Sequence, residues 1–172
     1  MNIIQKVSLI CCLFFFVIGD ASAKDYEIKD FGVKSDGVTL NTNAIQHAID
    51  FISGQGGGRL IFSPGIYLTG SIYIKSNVTL HLEKGAELRG SENPFDLTKD
   101  SYIGWTSLIF ALKQDNIAIT GSGTINSKGF EISNNMVSYI QKGLLNDPLS
   151  YDRPDATNRP TNIYFRECTN VK

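Results

Sequence analysis

Cysteine is scarce: the 172 residues contain three, and two of them, Cys11 and Cys12, stand near the N-terminus. That opening segment has a positive charge at Lys6, an apolar run over residues 7–18 and the small residues Ala21-Ser22-Ala23, the pattern of a secretory signal peptide cut after Ala23. The apolar run is about a dozen residues, too short for the roughly 30 Å hydrocarbon layer of a bilayer, so no membrane anchor is expected. Lipidation is not expected either, because Ile10 and Cys11 stand where a lipoprotein signal has a small residue. Removing residues 1–23 leaves only Cys168, which excludes an intramolecular disulfide even along an export route that permits one. The remaining stretch, roughly 150 residues, suffices for one domain held by burial and backbone pairing.

An excess of charge of either sign is also lacking. Sixteen Lys and Arg face 17 Asp and Glu, for a net charge of −1, and the signs are mixed along the chain. This excludes the basic footprint of a nucleic-acid binder and a polybasic membrane patch. An acidic polysaccharide remains possible, because a cleft can be locally basic in a neutral protein. Histidine is limited to His47 and His81; neither has cysteines or carboxylates at ligand spacing, so both read as structural or surface residues and no metal is expected. Cys168 has no base beside it in sequence and reads as a buried residue.

Gly54-Gln55-Gly56-Gly57-Gly58 resembles a phosphate loop in composition only. It follows a helical segment and lacks the Lys-Ser/Thr ending, so it reads as a helix stop and turn. Asp30-Phe31-Gly32 has none of the partner motifs that would make it a kinase metal site. Asn77-Val78-Thr79 fits a glycosylation sequon, but it falls within a repeated strand motif that explains it.

What is present is periodicity of two kinds. Ile45, Ala48, Ile49 and Ile52 share one face at helical spacing, predicting a helix over residues 43–52 with Asn41, Thr42 or Asn43 as N-cap and Gly54 as the stop. Beyond it come short β-rich runs: Leu60-Ile61-Phe62, Ile72-Tyr73-Ile74, Val78 to Leu82, Leu108-Ile109-Phe110, Ile117-Ala118-Ile119 and Ile163-Tyr164-Phe165. Three of them carry a repeat, an apolar triplet followed by Asn and a β-branched residue: Ile72-Tyr73-Ile74 with Asn77-Val78, Leu108-Ile109-Phe110 with Asn116-Ile117, and Ile163-Tyr164-Phe165 with Asn170-Val171. Asn suits this place because it tolerates the left-handed backbone of a sharp corner and its side chain bonds nearby backbone.

Three copies predict a solenoid whose first coil the helix caps. The copies lie further apart than a bare coil of about 20 to 25 residues because of insertions over residues 91–106 and 127–160, the second with a helix around Met136, Ile140 and Leu144. Such insertions gather on one face and commonly carry function.

Several motifs together resemble a known family. They are Asp30-Phe31-Gly32-Val33-Lys34-Ser35-Asp36-Gly37, Gly56-Gly57-Gly58 with Phe62-Ser63-Pro64-Gly65, Leu68-Thr69-Gly70-Ser71-Ile72 with Lys75-Ser76-Asn77-Val78, Asn116-Ile117-Ala118-Ile119-Thr120-Gly121, and Arg159-Pro160 before Phe165-Arg166 and Cys168. The chain is similar to the N-terminal part of family 28 glycoside hydrolases, the polygalacturonase-like members of the pectate lyase superfamily. The resemblance implies an all-β, right-handed, single-stranded parallel β-helix with an N-terminal capping helix, residues 24–172 forming its first part. It also implies inverting hydrolysis of galacturonic-acid-containing pectic glycans, without a cofactor, by a protein monomeric when complete; the signal peptide makes that protein secreted or periplasmic.

The catalytic Asn-Thr-Asp, Asp-Asp, His-Gly and Arg-x-Lys motifs of that family are missing from this sequence. No catalytic residue is therefore assigned, and the chain is expected to stop before the catalytic coils and to be inactive alone. Should carboxylates act here after all, Asp96, Asp100 and Asp115 come first. The substrate-binding candidate is Trp105, which with Tyr102 sits in the first insertion, where a flat aromatic face could cover a sugar ring or pack the loop onto the β-helix wall. Two other functions fit the scaffold: a polysaccharide lyase, which would use Ca2+ and a basic residue, and a non-catalytic β-helix of an adhesin or tailspike.

Overall fold

The computed structural model describes residues 24–98, 106–145 and 160–172. The predicted signal peptide, Tyr102, Trp105 and Asp100 lie outside the described residues. The strands are β1 (Asp25–Glu27), β2 (Gly58–Phe62), β3 (Gly65–Thr69), β4 (Ile72–Tyr73), β5 (Val78–Leu82), β6 (Ala86–Gly90), β7 (Ser107–Leu112), β8 (Asp115–Gly121), β9 (Thr124–Asn126), β10 (Thr161–Arg166) and β11 (Thr169–Val171). Two helices, α1 (Thr42–Gly54) and α2 (Gly129–Gln141), complete the elements, with 3-10 turns at Ile28–Phe31 and Pro94–Asp96.

Every pairing is parallel. The sheets run β1-β2-β5-β8-β11, β4-β7-β10 and β3-β6-β9, so the chain visits three sheets in rotation and each turn lies on the one before. This is the predicted right-handed parallel β-helix. Alternate side chains point inward and stack in columns: Leu60, Leu80 and Ile119; Tyr67, Leu88 and Ile125; Ile72, Ile109 and Ile163. Leu60, Leu80, Leu88, Ile72 and Ile109 are fully buried, each stabilising the coil stack by about 1.5–3 kcal/mol relative to exposure.

The capping helix forms as predicted, slightly longer, and Ile45, Ala48, Ile49 and Ile52 are all fully buried over the first coil. On its outer side Gln46 covers the open edge of β4. Its amide accepts from the Tyr73 N–H at 2.8 Å and donates to the Tyr73 carbonyl at 3.0 Å, standing in for a neighbouring strand. Asn41 occupies the N-cap position, but its side chain does not cap. It is buried, accepts from the Lys34 N–H at 2.8 Å and donates to the Lys34 carbonyl at 2.9 Å, fixing the loop that enters the helix.

The glycine run after α1 is the expected stop and turn. Gly57 has φ 116°, and a Cβ there would stand 2.5 Å from the Asn77 carbonyl, so no larger residue fits where the loop crosses the next coil. All three repeated asparagines adopt the left-handed backbone, Asn77, Asn116 and Asn170 at φ 66°, 56° and 49°.

Other details also differ from the sequence reading. The sheet β3-β6-β9 and the strands β1 and β11 have no counterpart among the predicted runs. The middle repeat is displaced by one residue: Ile109, not Leu108, pairs with Ile72 and Ile163, because alternation must keep Ile109 inside. The second insertion's helix begins at Gly129 and ends at Gln141, leaving Leu144 beyond it and 60% exposed.

Candidate functional site

Residues that point away from the core on β4-β7-β10 are Tyr73, Phe110 and Tyr164, brought into one row by strand register. The Tyr73 and Phe110 rings stack with centroids 5.1 Å apart and planes 15° from parallel. Tyr164 turns edge-to-face against Phe110, at 6.2 Å and 74°. Phe110 is 2% exposed; it is filler between its neighbours, while Tyr73 and Tyr164 present surface. With Lys75, Leu112 and Gln114 the row lines a groove of about 270 Å³. Lys75 pairs with Asp50 at 3.0 Å, both half exposed, a contact weak enough in water for another carboxylate to replace. Gln114 is held in place: its Oε1 accepts from the Ser76 N–H at 2.8 Å and its Nε2 donates to the Leu112 carbonyl at 2.8 Å.

Both insertions leave the solenoid at one corner, between β6 and β7 and between β9 and β10, so they border the same sheet. In the first coil that corner is only Gly70-Ser71. The turn Pro94–Asp96 folds back onto it: the Asp96 carbonyl accepts from the Ser71 N–H at 3.2 Å, and a Cβ on Gly70 would meet that oxygen at 2.0 Å. Buried serines seat the connection, Ser71 Oγ donating to the Ser107 carbonyl at 2.7 Å and accepting from the Thr98 N–H at 2.8 Å. Helix α2 packs next along, burying Ile132 and Met136, with Asn135 donating to the Glu92 carbonyl at 2.9 Å. Lys128 binds the carboxylates of Glu131 and Glu92, which holds its ammonium above its ordinary pKa, chiefly through Glu131. The described parts of the two insertions thus stack as a wall at the edge of the sheet that carries the aromatic row.

Of the acids singled out from sequence, the two among the described residues are structurally engaged. Asp96 accepts from Ser91 Oγ at 2.5 Å and Asn93 Nδ2 at 3.3 Å. Asp115 accepts from the Thr169 hydroxyl and from Asn170 Nδ2 at 2.9 Å. Among the described residues no group of three or more His, Cys, Asp and Glu could hold a metal ion. His47 meets Phe31 edge-on at 6.1 Å, and His81 Nδ1 lies 2.8 Å from Thr120 Oγ1. Cys168 is half-buried against the core, its Sγ 3.3 Å from the Arg166 carbonyl. Among the described residues no helix is long and apolar enough to cross a membrane. The aromatic row was missed by sequence reasoning, although its signal was present: Tyr73, Phe110 and Tyr164 each follow the inward isoleucine once the repeats are aligned on Ile72, Ile109 and Ile163.

A three-sheet parallel β-helix with a helical cap is a scaffold shared by several functions, and the motifs read from the sequence place this chain in its carbohydrate-active class. Within it the chain belongs to the rhamnogalacturonase A/epimerase, pectate lyase-like family, whose model matches residues 26–146. It is 34% identical over 144 residues to an exo-poly-alpha-D-galacturonosidase of Dickeya chrysanthemi, which covers 70% of this chain and 24% of that protein. Shorter matches, 44% identical over 62 residues and 31% of this chain, reach alginate lyase 7 of Azotobacter vinelandii, covering 7% of it.

Among solved structures, a protein of Parabacteroides merdae assigned to the glycosyl hydrolases is similar with TM-score 0.77 and 42% identity, over 86% of this chain and 61% of that one. The family 28 exopolygalacturonase of Yersinia enterocolitica is similar with TM-score 0.68 and 30% identity, over 88% and 34%. The family 28 resemblance read from the motifs is thereby borne out, and the chain is homologous to polygalacturonase-like glycoside hydrolases. It spans about a quarter of the Dickeya relative's length.

Proposed function

We propose that the whole protein is an exported glycoside hydrolase of the polygalacturonase type, secreted or periplasmic, cleaving galacturonic-acid-containing pectic glycans with inversion. Residues 24–172 supply its first coils and one end of the glycan-binding groove. Catalysis by inversion needs one carboxylic acid to protonate the leaving oxygen and a second carboxylate, roughly 6.5–9.5 Å away, to activate water. This chain lacks the family's aspartate motifs, and Asp96 and Asp115 are taken up in local hydrogen bonds, so the catalytic pair is assigned outside it.

The observation that carries the reading is the row Tyr73, Phe110 and Tyr164 in a groove with Lys75. An aromatic surface suits the apolar face of a pyranose, and an ammonium suits its carboxylate. Hydrolysis is preferred to lyase chemistry because the galacturonosidase match covers 70% of this chain and the lyase match 31%. Residues 24–172 are expected to bind polygalacturonate, more weakly after Tyr164→Ala, and to release no reducing sugar from it. Sugar release by clean material would place catalytic carboxylates in this chain; binding indifferent to Tyr164→Ala would remove the groove.

A further inference from the structure

The insertion wall carries an aromatic pair of its own, separate from the row on the sheet. Phe95 belongs to the turn Pro94–Asp96, which is rigidly held: Asn93 Oδ1 accepts from the Phe95 N–H at 3.2 Å, Pro94 is buried and the Asp96 carbonyl bonds the Gly70-Ser71 corner. This turn presents Phe95 outward, 61% exposed. Tyr139, near the end of α2, lies against it with ring centroids 5.6 Å apart and planes 34° from parallel, so it covers at most one face of Phe95 and leaves the other to solvent. Lys142, one turn on, holds its ammonium 6.0 Å from the Tyr139 ring centre. Among the described residues this ammonium has no carboxylate partner.

Among the described residues, the acids of the same wall are already neutralised or occupied. Glu92 and Glu131 both bind Lys128, and the Asp96 carboxylate is taken by Ser91 and Asn93. A tilted aromatic surface beside an ammonium is complementary to a ring that is apolar on one face and anionic at its edge.

We propose that Phe95, Tyr139 and Lys142 form a second saccharide-binding platform that holds a uronate residue of an acidic glycan on the insertion wall, apart from the aromatic row of the groove. The acidic class of the ligand rests on the pectic reading above. Phe95 and Tyr139 take the pyranose face and Lys142 takes the carboxylate. Because Phe95 comes from the first insertion and the other two residues from the second, the bound ring bridges both.

The test is titration of isotope-labelled residues 24–172, followed by NMR, with trigalacturonate and with neutral galactotriose. Trigalacturonate should perturb the amides around Phe95 and Tyr139. Phe95→Ala should weaken that binding about fivefold, the loss of one aromatic contact. Lys142→Gln should cost about threefold for trigalacturonate, an exposed charge pair, and leave galactotriose unchanged. Binding that Tyr164→Ala weakens and Phe95→Ala does not would overturn the platform while leaving the groove reading intact. No binding of either sugar would overturn both. A Phe95→Ala chain that melts earlier and binds as before would show that Phe95 packs against this chain's own residues, which also overturns the proposal.

Discussion

Asn116 donates its side-chain amide to Oδ1 of Asn77 at 3.1 Å, and both residues hold a left-handed backbone where successive coils turn the same corner. One coil further Asn170 keeps that backbone but directs its amide to Asp115 at 2.9 Å. The repeated asparagine therefore serves two purposes, a conformation most side chains resist and a bond between coils. Asn116→Ala should cost about 2–3 kcal/mol, the sum of the left-handed penalty and one hydrogen bond. Asn116→Gly should recover the conformational part. Urea unfolding of both variants checks this, and equal losses would remove the backbone argument.

Ile49 sits fully buried in the cap over the first coil. Ile49→Asp should destabilise by about 4 kcal/mol, since it leaves an unpaired charge on an apolar face. A variant that melts like the parent would show that α1 is not the lid of the solenoid.

Gly70 allows the first insertion to lie on the corner of the first coil. With the Asp96 carbonyl 2.0 Å from any added Cβ, Gly70→Ala should force the turn at Pro94–Asp96 away, at about 1–3 kcal/mol. The Ser71 amide should then exchange faster with solvent deuterium than in the parent. Unchanged protection would mean that the corner tolerates the methyl group.

Asp36 accepts from the Thr39 hydroxyl at 2.6 Å and from the Thr39 and Val38 N–H groups at 2.8 and 2.9 Å. These bonds, the Thr39 hydroxyl first, lower its pKa from 3.8 to about 2. The unfolded chain therefore takes up this proton before the folded one does. The contribution is full above the ordinary pKa and is lost as pH falls from about 4 through about 2. Asp36→Asn should flatten the fall in stability across that window, measured by thermal melts at each pH. An equally steep fall would assign the acid sensitivity to other carboxylates.

The sequence by itself determined the solenoid, the buried face of α1, the strands of two sheets except the terminal β1 and β11, the left-handed asparagine corners and where the coil rhythm is interrupted. These follow from local patterns: apolar spacing, and a residue type suited to one backbone conformation. It did not disclose the sheet β3-β6-β9. The segment Ala86–Gly90 puts Glu87 and Arg89 outside and only Ala86 and Leu88 inside, and Thr124–Asn126 is three residues long, so the local signal is thin and the coil above supplies the missing pairing. Tertiary structure also decided that Ile72 pairs with Ile109, that Asn41 ties down a loop instead of capping its helix, and that Phe95 meets Tyr139 across two insertions. Alternation along one strand tells inside from outside. Register, and the partners that register brings together, depend on which residue of another coil lies alongside, and that is fixed only when the coils stack.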